Sequence, residues 1–141
     1  MGRIIGIDVG QKRIGLAVTD PLGIFATGLD TVHVAGIFPY LLGYSKKEKI
    51  EAFVVGAPFT MNNLPSESVK FTEPFVKKLK KTFPGIPVKR IDERFTSVIA
   101  KQAIIEGGVR KMDRRNKAMV DMVSAAIMLQ SFLDQEKTQN K

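Results

Sequence analysis

At 141 residues, with 44% hydrophobic and 26% charged residues, the chain has the composition of one soluble globular domain that can bury a core without staples. The absence of cysteine excludes disulfides, thiolate nucleophiles and zinc–cysteine sites, and a lone histidine, His33, is too little for a histidine metal centre or triad. Any hydrolytic chemistry therefore has to come from carboxylates and a metal, and the formal net charge of +8 favours a polyanionic partner.

Met1-Gly2-Arg3-Ile4 enters a strand pattern at once, with no signal-peptide pattern, and no apolar run is long enough to span a bilayer. A cytoplasmic protein with no membrane partner is expected. Residues 3–9 and 13–20 read as a hairpin, and 24–33 as a third strand after the turn Asp20-Pro21-Leu22-Gly23. Residues 36–48 predict a short helix ending in the charged cluster Lys46-Lys47-Glu48-Lys49, and Ala52–Gly56 a buried parallel strand. A loop over 57–65 leads into a helix over about 66–83. Its Phe71, Phe75, Val76 and Leu79 recur at helical spacing, while Lys77, Lys78, Lys80 and Lys81 read as its wet face. Val88–Ile91 predicts a fifth strand, and helices are expected over about 97–106 and 113–134, with a tail over 134–141 that frays. Three hairpin-linked antiparallel strands followed by strands alternating with helices make a mixed five-stranded α/β sheet flanked by helices, in a single domain over 1–141.

Three carboxylates stand out against that frame. Asp8 ends the first strand beside a basic glycine turn, Gly10-Gln11-Lys12-Arg13, although a solvated hairpin Asp would look the same. Asp92 and Glu93 follow the fifth strand, where reactive groups of parallel sheets gather. Thr96 or Ser97 suffices to cap the next helix, but a carboxylate could also favour the helix dipole or pair with Arg94. Asp121 interrupts a stretch that is apolar on nearly every side, Ala118-Met119-Val120 before it and Met122-Val123 after it. A charge there is costly unless paired or metal-bound, and Lys117, one turn earlier, is the alternative structural partner. Asp8, Glu93 and Asp121 on one point would repel each other unless divalent cations neutralise them, and hard oxygen donors suit Mg²⁺ or Mn²⁺.

The ordered motifs Gly6-Ile7-Asp8-Val9-Gly10 with Arg13-Ile14-Gly15-Leu16-Ala17, Val55-Gly56-Ala57-Pro58, Asp92-Glu93-Arg94-Phe95-Thr96-Ser97, and Asp121-Met122-Val123-Ser124-Ala125-Ala126-Ile127-Met128-Leu129-Gln130 closely resemble the YqgF/RuvX family. Its members are described as candidate Holliday junction resolvases or as pre-16S rRNA nucleases. The resemblance covers nearly the whole chain. It implies an RNase H-like fold and a cytoplasmic, metal-dependent nuclease acting in ribosome biogenesis, at the 5′ end of 16S rRNA. It places the family's acidic positions on Asp8, Glu93 and Asp121, as catalytic residues and metal ligands. The loop from Gly56 to Pro65 departs from the family's pattern, lacking its Gly-Leu-Pro opening and a later glycine, so loop contacts to substrate do not carry over.

Phosphate contacts are expected from Lys12, Arg13 and Arg94, and from the basic run Arg110, Arg114, Arg115 and Lys117 ahead of Asp121. Precursor rRNA is the favoured substrate, with branched DNA the alternative. A junction resolvase nicks two strands symmetrically and calls for a two-fold dimer, whereas no long apolar heptad or dimer face is evident, so a monomer is favoured. Two further readings come from other classes. An ATP-binding protein of the actin and sugar-kinase superfamily shares a Gly-x-Asp-x-Gly hairpin but needs a second domain. A non-cleaving nucleic-acid-binding module is at odds with three intact carboxylates.

Overall fold

The computed structural model describes residues 2–10, 12–57, 69–92 and 114–139, and of residues 57, 69–71, 92, 114–121 and 137–139 the backbone alone. Five strands form one sheet: β1 (Arg3–Val9), β2 (Arg13–Thr19), β3 (Ala26–His33), β4 (Ile50–Ala57) and β5 (Val88–Asp92), in the order β3-β2-β1-β4-β5. The three hairpin-linked strands are antiparallel, β4 lies parallel to β1, and β5 parallel to β4. Among the described residues three helices accompany the sheet: α1 (Ile37–Lys47), α2 (Val69–Thr82) and α3 (Arg114–Gln139). The mixed five-stranded sheet expected from the alternation of apolar runs is therefore present.

Strand alternation divides the core into two layers. Ile5 and Ile7 of β1, Ile14 and Leu16 of β2, and Phe53 and Val55 of β4 pack with Ile37 and Leu41 of α1 and with Phe75, Val76 and Leu79 of α2. On the opposite face, Ala17, Val54 and Ile91 meet Ala125, Met128, Leu129, Phe132 and Leu133 of α3. Covered on both sides, β1 and β4 need the near-continuous apolar runs that they have. Each fully buried Ile or Leu stabilises the fold by about 1.5–3 kcal/mol. Arg90 ties α2 to the sheet by donating to Glu73 of α2 at 3.0 Å and to the Gly56 carbonyl at 3.5 Å.

Element boundaries differ from the sequence expectations, most by a residue and some by more. The third strand starts at Ala26 rather than at 24, because Ile24 and Phe25 belong to the preceding turn. β4 extends to Ile50 and Ala57, held between β1 and β5 on either side. A 3-10 turn, Val34–Gly36, precedes α1, and His33 caps it, its Nδ1 accepting from the Ala35 N–H at 3.1 Å. The lone histidine thus has a local structural role. The last helix runs to Gln139, past the expected end at 134. The helix expected over 97–106 and the loop over 58–65 lie outside the described residues.

The turn between β2 and β3 behaves as its sequence predicts. The Gly23 N–H donates to the Asp20 carbonyl at 2.9 Å, and Gly23 adopts φ +70°, which favours glycine. The Asp20 carboxylate accepts from the backbone N–H groups of Phe25 (3.0 Å) and Ile24 (2.7 Å). The Phe25 N–H foremost holds the Asp20 carboxyl below the usual carboxylate range against an opposing desolvation, with the Ile24 N–H adding to the lowering. A carboxyl lowered by folding stabilises the native state above the unfolded-state value, and the gain is lost as pH falls through the lowered one. Asp20→Asn, which keeps an acceptor but no charge, should therefore melt below wild type at neutral pH. The gap should close below about pH 4, in thermal melts across that range.

Candidate active site at the carboxyl ends of β1, β4 and β5

The sheet register brings three strand ends level. Ile7 of β1 pairs with Val55 of β4, Val55 with Arg90 of β5, and Ala57 with Asp92, so Asp8 and the end of β5 share one edge. Asp8 is half-buried, and alternation fixes its face. Ile5 and Ile7 point toward α1 and α2, whereas Gly6 looks at α3. Asp8, two residues after Gly6, is thus on the α3 face. Its partner across the antiparallel ladder is Gly15, which presents no side chain beside it.

α3 comes unusually close at this point because the sheet is bare beneath it. A Cβ on Gly6 would sit 2.9 Å from the Cβ of Leu129 and 3.4 Å from the Ala125 carbonyl oxygen. On β3, a Cβ on Gly28 would lie 3.2 Å from the Cβ of Met122. Ala26, earlier on β3, donates its N–H to the Gln130 side chain at 2.9 Å, while the Gln130 amide donates to the Ile24 carbonyl at 3.3 Å. Gln130 satisfies a carbonyl and an N–H at the open sheet edge and pins the helix there. Position 26 faces 130 and position 28 faces 122, so α3 runs antiparallel to β1 and β3. From the Gly6 contact toward Asp8 is a two-residue strand step of about 6.6 Å, and from Ala125 to Asp121 is one helical turn of about 5.4 Å. Position 121 therefore comes to the same end of the sheet as Asp8.

The basic residues expected near the site divide between what is described and what is not. Lys12 and Arg13 are exposed on the β1–β2 turn, four and five residues past Asp8 and at the same edge. The turn is closed by the Gly10 N–H donating to the Arg13 carbonyl at 3.0 Å, with space for no Cβ on Gly10. The Val34 N–H donates to the Lys12 carbonyl at 3.0 Å, tying the turn to the end of β3. Arg114, Arg115 and Lys117 occupy the first turns of α3, ahead of Asp121, with only their backbone described. Glu93, Arg94 and Arg110 lie outside the described residues, as do the side chains of Asp92 and Asp121. Among the described residues no cluster of three or more metal-type ligands occurs. The oxygen-only chemistry of a half-buried carboxylate at a bare strand end nonetheless fits a hard divalent cation. Gln130 and the glycines Gly6, Gly15 and Gly28 are the positioning residues that residue-type reasoning passes over, since they carry no reactive group.

A five-stranded sheet of this order, with a carboxylate at the end of its first strand and a helix laid close over it, is the RNase H-like fold of the RuvC-type resolvases. The structure is similar to that of T. thermophilus RuvC in complex with Holliday junction substrate, at 17% identity, 98% coverage of both chains and a TM-score of 0.57. It is likewise similar to the fowlpox virus Holliday junction resolvase, at 12% identity, covering 94% of this chain and 98% of that one, with a TM-score of 0.57. The profile of RuvX, described as Holliday junction resolvase, matches residues 2–135, and the chain belongs to that family. A relative from Phocaeicola vulgatus is 51% identical over 137 residues (97% of this chain, 99% of the relative), and one from Porphyromonas gingivalis is 52% identical over 134 residues (95% and 97%). Both are named "putative pre-16S rRNA nuclease". Among the described residues, no helix is long and apolar enough to cross a membrane.

Proposed function

We propose that this protein is a cytoplasmic metal-dependent phosphodiester hydrolase that trims the 5′ end of precursor 16S rRNA. The observation that carries the reading is the convergence of Asp8 and position 121 at one sheet end, produced by the bare Gly6 beneath α3. Asp8, Glu93 and Asp121 would hold Mg²⁺ or Mn²⁺, which when bound supply an activated water and stabilise the leaving oxygen of a phosphodiester. Asp8 stands at the end of a strand fixed on both sides, so its carboxylate needs little reorganisation to serve as a ligand. Lys12 and Arg13, on the adjacent turn, meet a backbone phosphate. Arg94, Arg110, Arg114, Arg115 and Lys117 extend that contact along the strand being cut.

The division of labour between Asp92 and Glu93 follows from parity. Ile91 lies on the α3 face, and alternation returns to that face at position 93 if the extended geometry continues past Asp92. Glu93→Gln should therefore abolish cleavage, whereas Asp92→Asn should retain it with a modest loss of stability. Equal activity loss in two well-folded variants would contradict the assignment.

The RuvX profile's description and the resolvase fold support a second reading, a dimeric Holliday junction resolvase. A parallel cleavage assay on precursor rRNA and on a four-way junction, with the mass of the active species recorded, separates the two. RNA cleavage by a monomer is expected. Symmetric junction nicking by a dimer, without RNA cleavage, would replace the rRNA reading. Binding of both without cleavage under any divalent metal would leave a non-cleaving nucleic-acid module.

A further inference from the structure

The described lysines are distributed unevenly, and the fold gathers five of them at the pole opposite Asp8. α1 and α2 both run toward the amino ends of β4 and β5, so their last turns finish side by side. The Arg3 N–H donates to the Lys49 carbonyl at 2.8 Å, which fixes the end of α1 at the start of β1. The Phe53 N–H donates to the Pro87 carbonyl, and the Phe53 and Phe83 rings lie 5.2 Å apart, which fixes the end of α2 at the starts of β4 and β5. Lys46 and Lys47 occupy the last turn of α1, Lys80 and Lys81 that of α2, and Lys49 follows directly on α1. All five are exposed, and among the described residues none has an ion pair.

Helix-end lysines have an ordinary structural use, which is to compensate the macrodipole. Each helix C-terminus is equivalent to about half a negative charge, so two helices account for about one of these cations. Of the carboxylates at this end of the sheet, Glu48 is engaged by Arg3 at 3.5 Å, Glu136 by Lys89 at 3.8 Å and Asp20 by the backbone N–H groups of its own turn, while Glu51 begins β4. The five lysines are thus left without a carboxylate partner among the described residues. Such a concentration is costly to maintain by self-repulsion unless an anion uses it.

We propose that this lysine pole is a second phosphate-backbone contact, which holds the same nucleic acid at a point remote from the cleavage site. The inference rests on the nuclease reading above. The five residue steps from Arg3 to Asp8 span about 17 Å along β1. A duplex reaching both poles must therefore be longer than about five base-pair steps at the ~3.4 Å rise of B-form DNA, and longer still in A-form RNA, whose rise is smaller. Linked contacts of this kind raise overall affinity by about 10²–10⁴-fold for a substrate long enough to engage both, and leave a short one unaffected.

The test compares wild type with the K46Q/K47Q/K80Q/K81Q variant by titrating labelled RNA in chelator at several salt concentrations. One probe is a duplex of about 20 base pairs, and the other a hairpin with a stem of about four, which cannot span both poles. Affinity for the long probe should fall by roughly 10²-fold, and its log–log salt slope should flatten by up to about 3. The short probe should change by less than about threefold, since the Asp8 end still binds it. The pair variants K46Q/K47Q and K80Q/K81Q should each show about half the slope change, and replacing all four lysines with Arg should restore it. That pattern is foreign to a folding defect. An unchanged slope on the long probe, with wild-type binding intact, would overturn the second contact alone. Failure of wild type to bind either probe would overturn the nuclease reading with it.

Discussion

Replacing Asp8 with Asn is expected to lower cleavage by at least about 10²-fold without unfolding the protein. The substitution removes one ligand charge and keeps the shape of the side chain. Losing a metal's share of transition-state charge stabilisation costs several kcal/mol, and each 1.4 kcal/mol is about tenfold in rate. Asp8 is half-buried at a strand end and lies outside both apolar core layers, so removing its charge leaves the apolar packing in place. Clustered carboxylates destabilise one another in the absence of cations, so the metal-free Asp8→Asn protein should melt at or above the wild-type temperature. A kinetic assay paired with a metal-free thermal melt reads both effects. Cleavage that survives Asp8→Asn and excess chelator would sink the carboxylate–metal reading. A large fall in melting temperature would instead make Asp8 a structural residue.

Gly6→Ala should have the second large effect, through packing rather than chemistry. Its new Cβ would meet the Leu129 Cβ at 2.9 Å, closer than two such carbons tolerate, and Leu129 is wholly buried. Either β1 or α3 must give way, at a cost of about 1–3 kcal/mol. The same displacement would carry position 121 away from Asp8, so cleavage should fall further than stability accounts for. Leu129→Ala alone opens a cavity and costs about 2–5 kcal/mol. Of the Leu129 atoms in contact, Leu129→Ala keeps the Cβ that clashes and removes only the Cδ2, which a Gly6 Cβ would meet at 3.3 Å. The double variant should therefore be relieved in part, its loss falling short of the sum by about 0.5 kcal/mol or more. Urea unfolding of the two single variants and the double variant measures that coupling. Strict additivity would mean that the Leu129 side chain beyond its Cβ takes no part in the contact with Gly6.

Much of this architecture was legible in the chain itself. Apolar runs marked the covered strands, because a strand covered on both faces must be apolar along its length, as Ile4–Ile7 and Phe53–Val55 are, whereas β3 and β5 were placed by the turn and break before them. Asp20-Pro21-Leu22-Gly23 declared its turn because only certain residues satisfy its backbone angles. The carboxylates drew notice because a charge at a strand end or in an apolar helix needs a reason that composition alone does not supply. These are local constraints, carried by a residue and its near neighbours.

Other properties became visible only in three dimensions. The small residues of α3 suggested that this helix approaches the sheet closely, but the space is made by Gly6 on β1 and Gly28 on β3, residues far from it in sequence. Gln130, which reads as one more polar position on a helix, reaches across 104 residues to satisfy the Ala26 N–H at the open edge of the sheet. Lys46, Lys47, Lys80 and Lys81 read as the wet ends of two separate helices, and became one pole only because both helices run back to the same edge. Local pattern determines which elements form, since backbone angles and side-chain periodicity are set within a few residues. Which faces meet, and which charges gather, depends on contacts between distant segments, and these exist only once the chain has folded.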